Sequence, residues 1–145
     1  MADPNPPIPL TPRNNKPIIG NVIVFTFEVP SDTDNDKLVF KLQIDTVNTF
    51  DSGNLKENES RFSTDQKTNG KWEVHNGSNF IIMPTGGVGS TYYGNDARVT
   101  IREQDTTNYP WTNTTWYWRI LAADNLNAPA LYNQVIFGQA VYNAT

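Results

Sequence analysis

Three aspartates alternate along one short polar stretch of this 145-residue chain. Asp32, Asp34 and Asp36 are spaced like the first three ligands of a calcium-binding loop, where side-chain oxygens converge on one cation. An EF-hand is excluded, because Lys37 occupies the position that requires glycine and Gln43 the position of the bidentate glutamate. The alternative is a solvated turn whose aspartate side chains hydrogen-bond their own backbone.

A second set of residues is suited to contact with a partner. Tryptophan and tyrosine are enriched at protein interfaces, and exposed rings also stack on sugars. The alternative is ordinary packing beneath long loops, which we favour for Trp72 and Trp111. Tyr92 and Tyr93 lie in a glycine-rich stretch and are the stronger candidates for partner contact. The full candidate set is Trp72, Tyr92, Tyr93, Tyr109 and Trp111.

Catalytic chemistry has little to build on. His75 is the single histidine and the chain has no cysteine, so neither a Ser-His-Asp triad nor a His/Cys metal site can be assembled. A glycosidase needs only two carboxylates, but no informative spacing relates the candidates Glu57, Glu59, Glu73 and Glu103. We therefore expect a non-enzymatic protein with no catalytic residues, and calcium as the one cofactor to consider.

Charge and hydropathy exclude two classes of partner. The formal net charge is −4 and the charges are scattered without a basic stripe, which argues against nucleic acid and anionic membranes. No apolar run approaches the roughly 20 residues of a membrane span. The first residues lack the basic-then-apolar pattern of a secretory signal. We expect either a whole protein made in the cytoplasm or a piece of a secreted one.

Composition and periodicity predict an all-β fold. Asn, Thr, Pro and Gly are abundant, charged residues are 18%, and no window has convincing helical periodicity. The clearest strand is residues 115–124, where Trp116 and Trp118 share one face with Ile120 and Ala122. Two indoles bury about 150–250 Å² each, so this strand must lie at the centre of the core.

Other strands alternate around it. The apolar faces are Ile23, Phe25, Phe27 and Val29; Leu38, Phe40, Leu42 and Ile44; and Ala97, Val99 and Ile101. A hairpin is predicted for residues 71–83 around Asn76-Gly77, a last strand for 133–142, and a turn for 13–16. Residues 1–16 form a Pro-rich arm and first edge strand. Roughly seven strands predict a two-sheet antiparallel sandwich, with residues 1–145 as a single domain.

Two stretches resemble a known family. Residues 25–45 read FTFEVPSDTDNDKLVFKLQID, and residues 116–124 read WYWRILAAD. They resemble the B strand, B–C loop, C strand and F strand of fibronectin type III-like, Ig-like modules of bacterial surface and phage virion proteins. Those repeats run Pro-Ser-Asp-x-Asp-Gly-Asp through the loop and Tyr-Tyr-Trp-Arg-Val-x-Ala-x-Asp in the F strand. Trp116 departs from the pattern, since it stands where the family has its corner tyrosine.

The resemblance implies an Ig-like sandwich in which the B–C and F–G loops lie at the same end. Asp124, Asn125 and Asn127 would then complete an oxygen cage with the three aspartates. The chain departs from the family in its long segment between strands C and E, where we expect an elongated insertion with room for an added hairpin and the Gly/Tyr loop.

Two functions are consistent with this resemblance. The first is a structural protein of a phage virion surface, a capsid decoration or tail protein that binds a capsid or tail lattice or associates with itself. The alternative is a carbohydrate-binding or adhesion module of a secreted bacterial surface protein or hydrolase, located outside the cell. Neither involves nucleic acid or a membrane.

Overall fold

The computed structural model describes residues 7–11, 16–18, 22–62, 70–102, 114–123, 135–136 and 140–144. Within these ranges the predicted all-β class is confirmed, since two sheets face each other across an apolar core. Helical geometry is confined there to two 3-10 turns, Ser60–Phe62 and Ser90–Tyr92. In the described part of the chain no helix is long and apolar enough to span a membrane.

Eleven strands are described. In chain order they are β1 (Ile8–Thr11), β2 (Lys16–Ile18), β3 (Val22–Glu28), β4 (Val39–Asp45), β5 (Lys56–Glu59), β6 (Lys71–His75), β7 (Phe80–Ile82), β8 (Asp96–Arg102), β9 (Thr114–Ala123), β10 (Val135–Ile136) and β11 (Ala140–Ala144).

The strands divide into two sheets. The first sheet has the order β1-β3-β8-β6-β7, and the second has the order β2-β11-β9-β4-β5 with β10 also paired to β9. Pairing is antiparallel except between β2 and β11, which run parallel. The predicted two-sheet sandwich is therefore confirmed, and β1 is an edge strand as its prolines indicate.

Inward-facing side chains of both sheets form one core. The predicted apolar faces of β3, β4, β8 and β9 are all buried. Phe25 of the first sheet packs edge-to-face on Trp118 of the second, with ring centroids 5.1 Å apart. Phe27 meets Phe40 in the same way, also at 5.1 Å. Such pairs join the sheets and are worth about 0.5–1.5 kcal/mol each beyond the area they bury.

Several predictions of local structure were wrong. Lys16 belongs to β2 and not to a turn. The predicted last strand is two strands, β10 and β11, which pair with different parts of β9. β5 was not predicted, because its four residues KENE have no apolar alternation. Val39 and Asp45 alternate with the predicted inward residues of β4, so periodicity places them outward. They are nevertheless 1% and 0% exposed, because Val39 packs against Ala123 and Asp45 accepts hydrogen bonds from a neighbouring turn.

Strand register places three chain segments at one end of the sandwich. Glu28 at the end of β3 pairs with Asp96 at the start of β8. Val39 at the start of β4 pairs with Ala123 at the end of β9. The connection between β3 and β4 therefore lies beside the segment that enters β8 and the end of β9.

Candidate metal centre

The connection from β3 to β4, residues 30–37, is called the aspartate loop below. The Asn35 amide donates to the carbonyl oxygen of Asp32 at 2.9 Å, and the Asp34 amide donates to Oδ1 of Asp32 at 3.1 Å. Asn35 has φ +55°, a left-handed conformation that asparagine tolerates better than most residues.

This turn brings the three aspartate carboxylates together. One carboxylate oxygen from each of Asp32, Asp34 and Asp36 lies within 4.8 Å of the others. Asp32 is 3% exposed, Asp36 is half-buried and Asp34 is exposed. The alternating spacing therefore predicted a real convergence of side chains.

Two of these oxygens are buried without a hydrogen bond. The Oδ2 atoms of Asp32 and Asp36 are shielded from solvent, and neither has a hydrogen-bond partner among the described residues. Buried polar atoms are nearly always paired in native proteins, and an unpaired charged one is especially costly. Among the described residues, these two oxygens are thus the buried side-chain polar atoms that lack a hydrogen-bond partner.

Electrostatics at the cluster is unfavourable for three bare carboxylates. Burial raises the pKa of Asp36 above its ordinary value of 3.8, the neighbouring carboxylates of Asp32 and Asp34 raise it further, and a hydrogen bond from protonated Asp36 to the Asp32 side chain acts in the same direction. These causes disfavour the ionised form of Asp36. A cation between the carboxylates would offset the repulsion between them.

A second segment, residues 84–95, holds the ends of the aspartate loop; we call it the tyrosine segment. The Gly94 amide donates to the Val29 carbonyl at 2.9 Å, and the Val29 amide donates to the Asn95 carbonyl at 2.9 Å. After the loop, Leu38 and Val88 exchange two backbone hydrogen bonds of 2.9 Å. The loop is therefore fixed to the tyrosine segment both where it leaves β3 and where it reaches β4.

The tyrosine segment also reaches into the aspartate loop. The Tyr93 hydroxyl donates to the backbone carbonyl of Asp36 at 2.5 Å. Tyr92 and Tyr93 are half-buried and pack against the core. Their proposed contact with a partner stays a prediction.

The candidate partner residue Trp72 requires a correction. It is fully buried in the core, and its Nε1 donates to Oδ1 of the buried Asn58 at 2.7 Å. Phe27 packs edge-to-face against its ring at 6.1 Å between centroids. Trp72 is thus inaccessible to a partner, and the packing alternative describes it.

Other predicted site residues lie outside the described residues. These are Tyr109 and Trp111 of the aromatic set, and Asp124, Asn125 and Asn127 of the predicted oxygen cage. The register of Val39 with Ala123 does place the end of β9 beside the start of β4. The cage itself stays a prediction.

One polar cluster on the outer face of the first sheet was not anticipated. Arg98 donates to Glu73 at 2.9 Å, and its guanidinium lies over the Phe80 ring at 3.9 Å from the centroid. His75 packs edge-to-face on the same ring at 5.0 Å, and its Nδ1 accepts from the Gly77 amide at 3.1 Å. These side chains meet because β6 pairs with both β7 and β8, and the sequence did not predict the pairing of β6 with β8. These contacts join the side chains of β6, β7 and β8 on this face of the sheet.

The size of the aspartate cluster can be compared with known cation geometry. Calcium binds oxygen at 2.3–2.6 Å, so two ligands on one ion lie at most about 5 Å apart. Magnesium binds at 2.0–2.1 Å, which limits the separation to about 4.2 Å. The aspartate oxygens lie within 4.8 Å of one another, so each pair of them is close enough to be bound by one calcium ion.

Comparison with known proteins gives no assignment for this site. No protein-family model matches the chain, and neither a curated protein nor a solved structure matches it.

Proposed function

We propose that this protein is a non-enzymatic structural and interaction module, displayed on a phage virion as a capsid decoration or tail protein. The observation that carries the proposal is that polar side chains on the described outer faces of both sheets pair with one another. They are not gathered there in a cleft with unpaired acid and base groups.

The second sheet gives the longest example. Arg119 donates to Gln43 at 2.7 Å, Gln43 donates to Glu57 at 2.7 Å, and Lys41 lies 3.7 Å from the same carboxylate. These side chains cross three adjacent strands, β9, β4 and β5. Because the Glu57 carboxylate already pairs with Gln43 and Lys41, we expect no acid–base chemistry from it.

Strand order supports the resemblance on which the virion placement rests. An Ig-type sandwich has the orders A-B-E-D and G-F-C, with an added C′ strand in the variable type. The orders β1-β3-β8-β6 and β11-β9-β4-β5 have the same neighbours if β3, β4, β8 and β9 are read as B, C, E and F. Three of these four strands, β3, β4 and β9, carry the resembling sequences.

The test is whether the protein is part of a virus particle. Particles should be purified by density gradient from cultures that produce this protein, and mass spectrometry should then detect it in a fixed ratio to the major shell protein. Antibodies against the chain should label intact particles. Absence from the particles would contradict the proposal, and glycan-array binding by the purified chain would favour the adhesion alternative.

A further inference from the structure

The buried oxygens of Asp32 and Asp36 point to a ligand. We propose that the aspartate loop is a calcium-binding site in which Asp32, Asp34 and Asp36 each supply a carboxylate oxygen. The proposal is independent of the virion placement, because it rests on the geometry of one loop.

Two observations carry this proposal separately. The first is the convergence of three carboxylate oxygens within 4.8 Å. The second is that Asp32 is only 3% exposed and has a buried Oδ2 without a hydrogen-bond partner among the described residues, while its Oδ1 accepts from the Asp34 amide. An acidic turn that served only as a turn would leave its carboxylates in water. Here one carboxylate is taken out of water and faces two others.

No basic side chain in the described ranges neutralises this pair. The ion pairs found there engage Glu57, Glu59 and Glu73, and the Oδ2 atoms of Asp32 and Asp36 lack partners. Lys37 follows directly in the chain but is exposed. A cation bound from solution would satisfy both oxygens at once, because each would become a metal ligand.

The chemistry of the ligands selects the kind of cation. Carboxylate oxygens are hard ligands that suit calcium and magnesium better than the softer transition metals. The oxygens lie within 4.8 Å of one another, inside the separation of about 5 Å that two ligands of one calcium ion can reach. Calcium also accepts six to eight oxygens in irregular geometry, so water can complete a site with three aspartates.

The loop is held in place before any ion binds. Backbone hydrogen bonds fix both of its ends to the tyrosine segment, and the Tyr93 hydroxyl holds the Asp36 carbonyl. Little ordering entropy is then lost on binding, which favours affinity. One proton shared between Asp32 and Asp36 is the competing way to satisfy the two oxygens, and it predicts no response to calcium.

The first test uses the full chain and two probes. Terbium(III), which replaces calcium at oxygen sites, should luminesce when the protein is excited in the ultraviolet, because Tyr93 lies beside the loop; calcium should then displace it. Calcium at a hundredfold excess over its dissociation constant should raise Tm by about 5–10 °C relative to chelator. No luminescence and no shift in Tm would overturn the proposal.

Three variants locate the ion. Asp32→Asn and Asp36→Asn should each weaken calcium binding at least about tenfold, because each removes a charged ligand. Asp51→Asn is the matched control, since it makes the same change in net charge at an exposed carboxylate in another loop. It should bind calcium like the wild type. Calcium binding by both loop variants with wild-type affinity would overturn the proposal.

Stability separates a metal ligand from a merely structural aspartate. In chelator, Asp32→Asn and Asp36→Asn should be at least as stable as the wild type, because repulsion between carboxylates is removed. The amide oxygen introduced by Asp32→Asn can still accept the hydrogen bond from the Asp34 amide. In calcium the order should reverse. If Asp32→Asn does not fold, Asp36→Asn carries the comparison alone, and loss of stability in both conditions alike would contradict a ligand role.

Discussion

The hydroxyl of Tyr93 donates a 2.5 Å hydrogen bond to the backbone carbonyl of Asp36, although 57 residues separate the two in sequence. This bond joins the tyrosine segment to the acidic part of the aspartate loop. Among the described residues, the backbone hydrogen bonds from the tyrosine segment meet the aspartate loop at its ends, so the Tyr93 hydroxyl adds a side-chain contact at its acidic part.

Removal of this hydroxyl should loosen the loop. Tyr93→Phe is expected to lower the free energy of unfolding by about 0.5–1.5 kcal/mol, the usual net value of one hydrogen bond. Urea unfolding followed by fluorescence would measure the change as a lower midpoint with an unaltered slope. Tyr92→Phe is the control, since the structure shows no hydrogen bond from the Tyr92 hydroxyl to the described residues. Equal effects in both variants would argue against the role given to Tyr93.

The buried pair of Asn58 and Trp72 links the two sheets, since Asn58 lies in β5 and Trp72 in β6. Asn58→Ala should cost about 1–3 kcal/mol of unfolding free energy, because the indole N–H would stay buried without an acceptor. Thermal and urea unfolding would both report the loss. Asn48→Ala, at an exposed turn position, should change stability by less than about 0.5 kcal/mol. A neutral Asn58→Ala would show that water or another group replaces the amide.

Gly70 is required by close packing just before β6. A Cβ at this position would lie 2.5 Å from Cδ1 of Ile101 and 2.9 Å from the backbone oxygen of Thr100. Side-chain tips can move but the paired backbone of β8 cannot, so Gly70→Ala should destabilise the protein by about 1–3 kcal/mol. Gly86→Ala is the matched control, because nothing lies within 4 Å of its Cβ position. Differential scanning calorimetry should separate the two variants clearly.

Asp45 makes stability depend on pH. Burial alone would raise its pKa, but hydrogen bonds from the Ser52 hydroxyl and from the backbone amides of Ser52, Thr46 and Val47 outweigh burial and hold the pKa below 3.8. The unfolded chain then binds more protons than the folded one in acid, so unfolding free energy falls as pH drops through the folded pKa. The contribution is fully present above the ordinary value of 3.8.

Asp45→Asn tests this dependence. The variant should be less stable than the wild type at neutral pH by about 1–3 kcal/mol, since charge-assisted hydrogen bonds are lost. The difference should shrink as pH falls below about 4, where the wild-type carboxylate is progressively protonated. Urea midpoints measured across this range would show it. Asp51→Asn, which removes an exposed carboxylate from the same loop, is the charge-matched comparison. A constant gap between Asp45→Asn and wild type would contradict the assignment.

The core was readable from sequence because burial followed strand periodicity. Phe25, Phe40 and Trp118 each stand in an alternating run, and each is fully buried. The aspartate cluster could be predicted for a similar reason. Its three aspartates alternate within five residues, so their convergence depends on one loop and not on contacts distant in sequence.

What escaped prediction depends on contacts distant in sequence. Leu121 lies on the outer face of β9 yet is 4% exposed, so periodicity alone assigns it wrongly. Asn58 is buried because the Trp72 indole needs an acceptor, and no pattern in KENE signals this. The burial of Trp72 depends on the position of β6 between β8 and β7 in the first sheet, which the sequence does not give.

The prolines of the first two strands have a consequence for assembly. β1 and β2 are edges of the first and second sheets, and they contain Pro9 and Pro17. Because proline has no N–H to donate, a strand from another copy would add poorly to either edge. The opposite edge of the second sheet, β5, carries the charged residues Glu57 and Glu59, which also disfavour strand addition. Strand addition between copies is therefore disfavoured at these three edges, which leaves β7, the remaining edge of the first sheet, as the one where a strand could add.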